Sequence, residues 1–326
     1  MSTPTRLPAL DCLRAFAIII VLLYHYKVVV SSEDTFGYIT QIGWMGVDLF
    51  FVLSGYLIGD QILGPLARQE PFSIGRFYLR RLLRTLPNYY AVCLLYIFGP
   101  DILIGNHTSD WWRFLTFTQN FDFRPGVTFS HSWSLCIEEQ FYLLAPLVFV
   151  LTARSGQVVL GSWLLIVFGL GLGLGSRLDA WYSHGLNNMS VNNYYHSIYY
   201  SSLSRFDELL PGIAIALIKN AHPILFQRLL ARGHYWLGIG TLSFASLAYA
   251  YPNLHYKEAR GYNFFLSTFG YTALALSFMC IVLSALAPKS LLGRWVIPGA
   301  GSLAVCSYAL YLIHKPLFKL LIDPLE

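Results

Sequence analysis

The sequence predicts an all-α fold: a polytopic integral membrane helical bundle of about nine to ten transmembrane helices, one domain over residues 1–326. Three observations predict it. Hydrophobic residues make up 56% of the chain and charged residues 12%, about half the charged share of a soluble domain. The apolar residues fall in repeated runs of about 20, the length that crosses a bilayer core. No polar stretch between them is long enough to bury a core of its own.

The first span, about 10–30, contains CLRAFAIIIVLLYHY. It reads as a retained span rather than a discarded signal peptide. It lacks an Ala-x-Ala site and carries a polar pair, Arg14 and His25, that a discarded segment would waste. After the short loop SSEDTFGY, the second span is about 42–63, with Asp48 inside it. A basic loop over 64–85 carries Arg68, Arg76, Arg80, Arg81 and Arg84. The third span is about 86–104, and an aromatic loop over 105–131 contains Trp111 and Trp112, as interfacial segments do. The fourth span, about 132–152, brings Glu138 and Glu139 into the apolar zone. The fifth is about 158–176, followed by a Tyr- and Asn-rich loop over 177–203. Further spans fit 204–219, 234–251, 264–287 and 298–322, nine in all.

The net charge of +5 does not indicate a nucleic-acid partner. The basic residues flank apolar runs, and flanking bases report orientation in a bilayer. With the N-terminus inside, 12 of the 22 Lys and Arg fall on the cytoplasmic side, Arg6 and the five of the basic loop among them, so an inward N-terminus is expected. Five cysteines (Cys12, Cys93, Cys136, Cys280 and Cys306) lie in or beside apolar runs without a Cys-x-x-Cys pair. They read as small buried apolar residues, and no metal site is expected.

Chemistry is concentrated in a few positions. His25 follows Arg14 by eleven residues, close to three helical turns, so both lie on one face about 16 Å apart along the axis. Such residues are expensive in lipid and must face protein, water or a ligand. Arg14 can hold an anionic group and His25 can move a proton near neutral pH. The structural alternative is a snorkelling arginine and a histidine satisfied by a backbone carbonyl. Asp48 can orient and charge-stabilise His25, or simply bond between helices. Ser54 beside Gly55 reads as close helix packing. Arg81 and Arg84, one turn apart, form a fork suited to phosphate, or anchor the chain beside anionic lipid. Ser134 and Glu138 share a helical face and Glu139 points elsewhere. Glu138 is an acid–base candidate or a bundle ion pair.

Near the end, Ser307, Tyr311 and His314 share a face, with His314 read as structural. Arg205, Asp207 and Glu208 read equally as an ion pair or a site. The run GLGLGLG at 169–175 lacks the strand-then-helix context and the lysine of a phosphate loop, and reads as helix packing.

Taken in order, Arg14-x10-His25, FFVLSG at 50–55, Arg81-x-x-Arg84, SWSLCIEEQFYLLAP at 132–146 and the closing SYALYLIHKP resemble the type-3 membrane acyltransferase family, the OafA-like O-acyltransferases of bacterial envelopes. The resemblance covers the whole chain. One departure is Cys12, where the family's LDGLR opening usually has glycine. The family has about ten spans, so a short or re-entrant helix is expected within 105–131 or 177–203. Because the chain ends at Glu326, it resembles the stand-alone form without a periplasmic esterase-like domain.

The resemblance implies transfer of an acyl group, usually acetyl, from cytoplasmic acetyl-CoA or another acyl-CoA to a hydroxyl of an extracytoplasmic or lipid-linked glycan, in the bacterial inner (cytoplasmic) membrane. It implies His25 as the catalytic histidine, Arg14 as its companion, Arg81 and Arg84 at the CoA entrance, and Ser134 with Glu138 as the Ser-x3-Glu pair. Asp48 or Glu138 would orient His25 or relay protons. The acceptor stays open among O-antigen sugar, exopolysaccharide, peptidoglycan, a lipid-linked intermediate and a metabolite glycoside. The loop 177–203, with its Tyr and Asn residues and Trp181, has the character of sugar binding. The rival reading is a transporter or exporter of a lipid-linked or polysaccharide substrate, where polar residues inside spans are equally expected.

Overall fold

The computed structural model describes residues 7–98, 110–186 and 188–322. Arg6, the far end of the third predicted span and residues 105–109 of the aromatic loop lie outside them. Ten helices carry the architecture: α1 (Pro8–Tyr26), α2 (Gly46–Ala67), α3 (Ile74–Phe98), α4 (Trp133–Arg154), α5 (Val158–His184), α6 (Leu210–Ala221), α7 (Pro223–Ala231), α8 (Gly233–Ala250), α9 (Gly270–Leu286) and α10 (Ala300–Ile322). The β structure among the described residues is one short pair, Tyr256–Lys257 with Gly261–Tyr262. Proline near the start of α1 costs nothing, since the first turn has no use for its N–H. α1 then runs into a π-type turn, Lys27–Ser31, and stops at Ser32 in the left-handed conformation.

A helix stands at each of the nine predicted segments. Among the described residues, four stretches are long and apolar enough to cross a membrane: Pro8–Ser31, Ile39–Ala67, Ser130–Arg154 and Val158–His184. A fifth is added if Ser202–Ala221 and Pro223–Ala231, bent by 116° at His222, form one span. Within the segments proposed for an additional helix, short helices occur at Trp111–Thr116, Val191–Tyr194 and Ser202–Arg205. Each is far below crossing length.

Two boundaries differ from the sequence reading. The predicted basic loop 64–85 is largely helical: α2 continues to Ala67, and α3 begins at Ile74, so Arg76, Arg80, Arg81 and Arg84 ride on a helix. Arginine and leucine are strong helix formers, and Ser73 Oγ accepts from the Arg76 amide at 3.3 Å, supplying a start signal. Hydropathy closes a span at charge, whereas helical propensity does not. The second difference is α5, which continues past residue 176 to His184. The charge that seemed to end it, Arg177, is fully buried against Asp207 at 2.8 Å.

Close approach, made by glycine, sets the helix spacing. A Cβ on Gly55 of α2 would lie 2.0 Å from the Leu209 carbonyl oxygen, and one on Gly212 of α6 would lie 2.1 Å from that of Val52. Only small residues let two backbones meet this closely inside a membrane. In α5, a Cβ at Gly173 would fall 2.5 Å from Asp207 Cγ, while Gly171 faces open space. The repeat Gly-Leu-Gly-Leu therefore has one packing face and one lipid face.

Substituting alanine at Gly55 or Gly173 is accordingly expected to cost about 1–3 kcal/mol by overpacking. Gly171→Ala should be neutral or slightly stabilising, since alanine is the better helix former. Thermal unfolding in one detergent separates the two classes. Equal shifts for Gly173→Ala and Gly171→Ala would contradict this packing.

Candidate functional site

Five helices enclose a cleft near the start of α1, with about 660 Å³ of free space open to solvent. Arg14 of α1, Arg81 and Arg84 of α3, Ser54 of α2 and Glu138 and Tyr142 of α4 all line it. Ser54 Oγ donates to Glu138 Oε1 at 2.8 Å. Arg81 stacks on the Tyr142 ring, its guanidinium carbon 4.1 Å from the centroid. Arg14 Nε and Arg81 Nε are buried without a hydrogen-bond partner among the described residues. Arg14 and Arg81 both lie close enough to Glu138 to interact electrostatically. One carboxylate faces several guanidiniums, so the cleft is cationic and fits a polyanion.

Away from the arginines the cleft lining becomes neutral. Ser134 Oγ and Tyr311 Oη are 2.8 Å apart, and Tyr311 donates to the backbone carbonyl of His131 at 2.6 Å. Behind Tyr311 lie three imidazoles. Ring centroids are 4.6 Å apart for His25 and His314, 4.9 Å for His131 and His314, and 6.3 Å for His25 and His131. Each is fixed by one backbone carbonyl: His25 Nδ1 to Val21 at 3.0 Å, His314 Nδ1 to Leu310 at 3.2 Å and His131 Nε2 to Leu312 at 3.2 Å. A carbonyl only accepts, so each of those nitrogens carries the proton and the ring's other nitrogen keeps a lone pair. His131 Nδ1 and His314 Nε2 are buried without a partner among the described residues. The cluster thus offers proton acceptors, with the Lys315 side chain close enough to act electrostatically on all three rings, a setting for taking a proton from a hydroxyl.

Asp48 sits elsewhere. It is fully buried and pairs with Arg205 at 2.8 Å. Arg205 also engages Glu208, and its guanidinium carbon lies 3.8 Å from the Tyr271 centroid, 4.9 Å from Trp133 and 5.0 Å from Tyr199. The orienting bond to His25 that the sequence allowed is made by Val21 instead. An arginine 157 residues away claims the carboxylate. The alternative reading of Asp48, a bond between helices, is the one these contacts support.

A family model for an acyltransferase domain, the type-3 acyltransferases, matches residues 7–326. The chain belongs to this family. Its apolar helices make it a multi-pass membrane protein of that family. Over 340 residues the chain is 28% identical to an O-acetyltransferase, OatA, of Staphylococcus aureus, covering 97% of this chain and 51% of the relative. It is 32% identical over 229 residues to the peptidoglycan O-acetyltransferase OatA of Listeria monocytogenes, covering 65% of this chain and 34% of the relative. A putative O-acetyltransferase of Staphylococcus aureus is 26% identical over 338 residues, covering 94% and 50%. The chain thus spans about half the length, or less, of these curated relatives. No solved structure matches it.

In this type-3 acyltransferase, residues singled out from sequence divide into two groups by position. Arg14, Arg81, Arg84, Ser54, Ser134 and Glu138 meet at the cleft. Ser54, read as a packing residue, also holds the Glu138 carboxylate. Glu139 lies outside the cleft lining, on another face of α4. His25 and His314 lie together, and His314 is buried inside the bundle. Sequence reasoning passed over His131 and Tyr142. His131 stands ahead of the helical repeat of α4, so periodicity gave it no face. The polar cluster HSWS at the head of an apolar run was the available signal.

Removing a partner from a buried ion pair leaves an uncompensated charge, so Asp48→Ala should destabilise the fold by about 3–5 kcal/mol. Asp48→Asn, which keeps one hydrogen bond, should cost less. In that variant the pH dependence of remaining activity should match wild type. A changed pH profile at unchanged stability would instead assign Asp48 to the histidine.

Proposed function

We propose that this protein is a membrane O-acyltransferase that moves an acyl group, acetyl in the first instance, from cytoplasmic acyl-CoA to a hydroxyl of an extracytoplasmic or lipid-linked glycan. The observation that carries it is contiguity. Ser134 and Tyr311 line the arginine cleft, and the Tyr311 ring lies 5.8 Å from those of His131 and His314, each of which keeps a buried nitrogen without a partner among the described residues. The relatives' names, which specify O-acetyl transfer and in one case peptidoglycan, support a cell-wall glycan as acceptor.

In this reading Arg14, Arg81 and Arg84 hold the CoA phosphates, and the pantetheine arm reaches inward past Glu138. His25 Nε2 takes the proton of the acceptor hydroxyl, its ring held by the Val21 carbonyl. The acceptor oxygen bonds to the thioester carbon as the carbon–sulfur bond breaks, and the proton on His25 passes to the CoA thiolate. An acyl-histidine intermediate is a variant of the same geometry. Glu138, held by Ser54, positions Arg14 and Arg81 and can relay protons. The bilayer is the bacterial inner membrane, the N-terminus is cytoplasmic, and about nine to ten helices cross as one domain.

His25→Ala in folded protein should reduce transfer by about 100- to 10,000-fold, the scale of general-base catalysis. Arg81→Ala or Arg84→Ala should raise the KM for acetyl-CoA by roughly 10- to 100-fold, as loss of a charged hydrogen bond does. Free CoA thiol and the mass of acetylated envelope glycans are the readouts. Near-normal transfer by His25→Ala would remove the catalytic assignment. Folded protein that releases no thiol from any acyl-CoA of a panel would point to the transporter.

A further inference from the structure

A second cleft lies at the opposite end of α1, with about 470 Å³ of free space. Tyr24, Trp44, Tyr195, Tyr199, Tyr251 and Tyr271 form its wall, and Gln41 and His255 add polar edges. The rings brace one another: centroids are 5.0 Å apart for Trp44 and Tyr251, and 5.1 Å for Tyr195 and Tyr199. Arg205, tied to Asp48 and Glu208, backs the Tyr271 and Tyr199 rings. The wall is therefore rigid. Gln41 is held by its amide nitrogen, which donates to Asp34 Oδ2 at 2.6 Å, leaving Oε1 as an acceptor. Burial pushes His255 down to about 4, so this edge is neutral. Tyr24 joins the two sites, since its ring lies 5.1 Å from that of His25.

A braced aromatic wall with neutral hydrogen-bonding edges suits one chemistry well. The C–H face of a sugar ring is attracted to the electron-rich ring faces, while its hydroxyls need donors and acceptors at the rim. We infer that this cleft binds a pyranose ring of the glycan acceptor, stacked on Trp44 and the tyrosines, with the adjoining hydroxyl presented past Tyr24 toward His25. This rests on the acyltransferase reading for the identity of the acceptor. The cleft itself is independent of the arginine site, and no residue lines both.

The test is binding of a soluble N-acetylglucosamine oligosaccharide to the full chain in nanodiscs, read by saturation-transfer NMR. Wild type and His25→Ala should bind alike, and Trp44→Ala and Tyr195→Ala should bind about tenfold more weakly or worse. Trp44→Phe should restore part of the loss, and an unchanged thermal unfolding midpoint in the same nanodiscs certifies folding. Should Trp44→Ala or Tyr195→Ala fail that check, Trp44→Phe and Gln41→Ala carry the comparison. Wild-type protein without a sugar-dependent signal, as expected of a mere interfacial belt, would overturn the inference. So would folded cleft variants that bind like wild type. Thiol release is scored separately. Oligosaccharide binding without thiol release would sink the transferase reading and leave the cleft. Thiol release with sugar binding indifferent to the cleft would do the reverse.

Discussion

The guanidinium of Arg205 is the contact on which most of this structure depends. It is fully buried, lies between the carboxylates of Asp48 and Glu208, and is faced by Trp133, Tyr199 and Tyr271. Those partners come from α2, α4, α9 and the segment leading into α6, so one side chain ties four parts of the chain together. An ion in a low-dielectric interior is tolerable only with opposite charge and hydrogen bonds around it. The need to surround Arg205 therefore constrains where these helices can stand. The neighbouring pair of Arg177 and Asp207, with Thr272 donating to the same carboxylate at 2.9 Å, extends the constraint to α5.

Around this charged centre, glycine lets the backbones close in. Gly55 and Gly212 bring α2 against α6 at the level where Asp207 and Glu208 enter the bundle. Packing and charge cooperate here: with bulkier residues the carboxylates would stand too far out to reach their arginines. The imidazole cluster and the arginine cleft sit on the other side of α2, carried by α1, α3, α4 with the turn before it, and α10. Chemistry and scaffold are thus on separate faces of the same helices.

Much of this was legible in the sequence because it depends on short-range periodicity. An offset of eleven positions from Arg14 to His25 puts them on one stripe, and one of four from Ser134 to Glu138 puts those on one face. Glycines four apart announced close contacts. What stayed hidden depends on separation along the chain. Nothing local to Asp48 reveals that Arg205 will claim it. His131 precedes its helix and so has no period to betray it. The start of α3 was hidden for another reason, since a hydropathy window closes at arginines that helical propensity carries through.

α1 is one unbroken rod from Pro8 to Tyr26, and it carries both Arg14 and His25. Their shared stripe has a mechanical consequence. Turning the rod about its own axis swings both side chains the same way, and tilting it about its middle drives them in opposite directions. The two ends cannot be adjusted independently. The π-type turn that begins at Lys27, two residues past the histidine, is where the backbone first departs from that rigidity. Any movement of α1 as a body therefore carries the Arg14 and His25 side chains together.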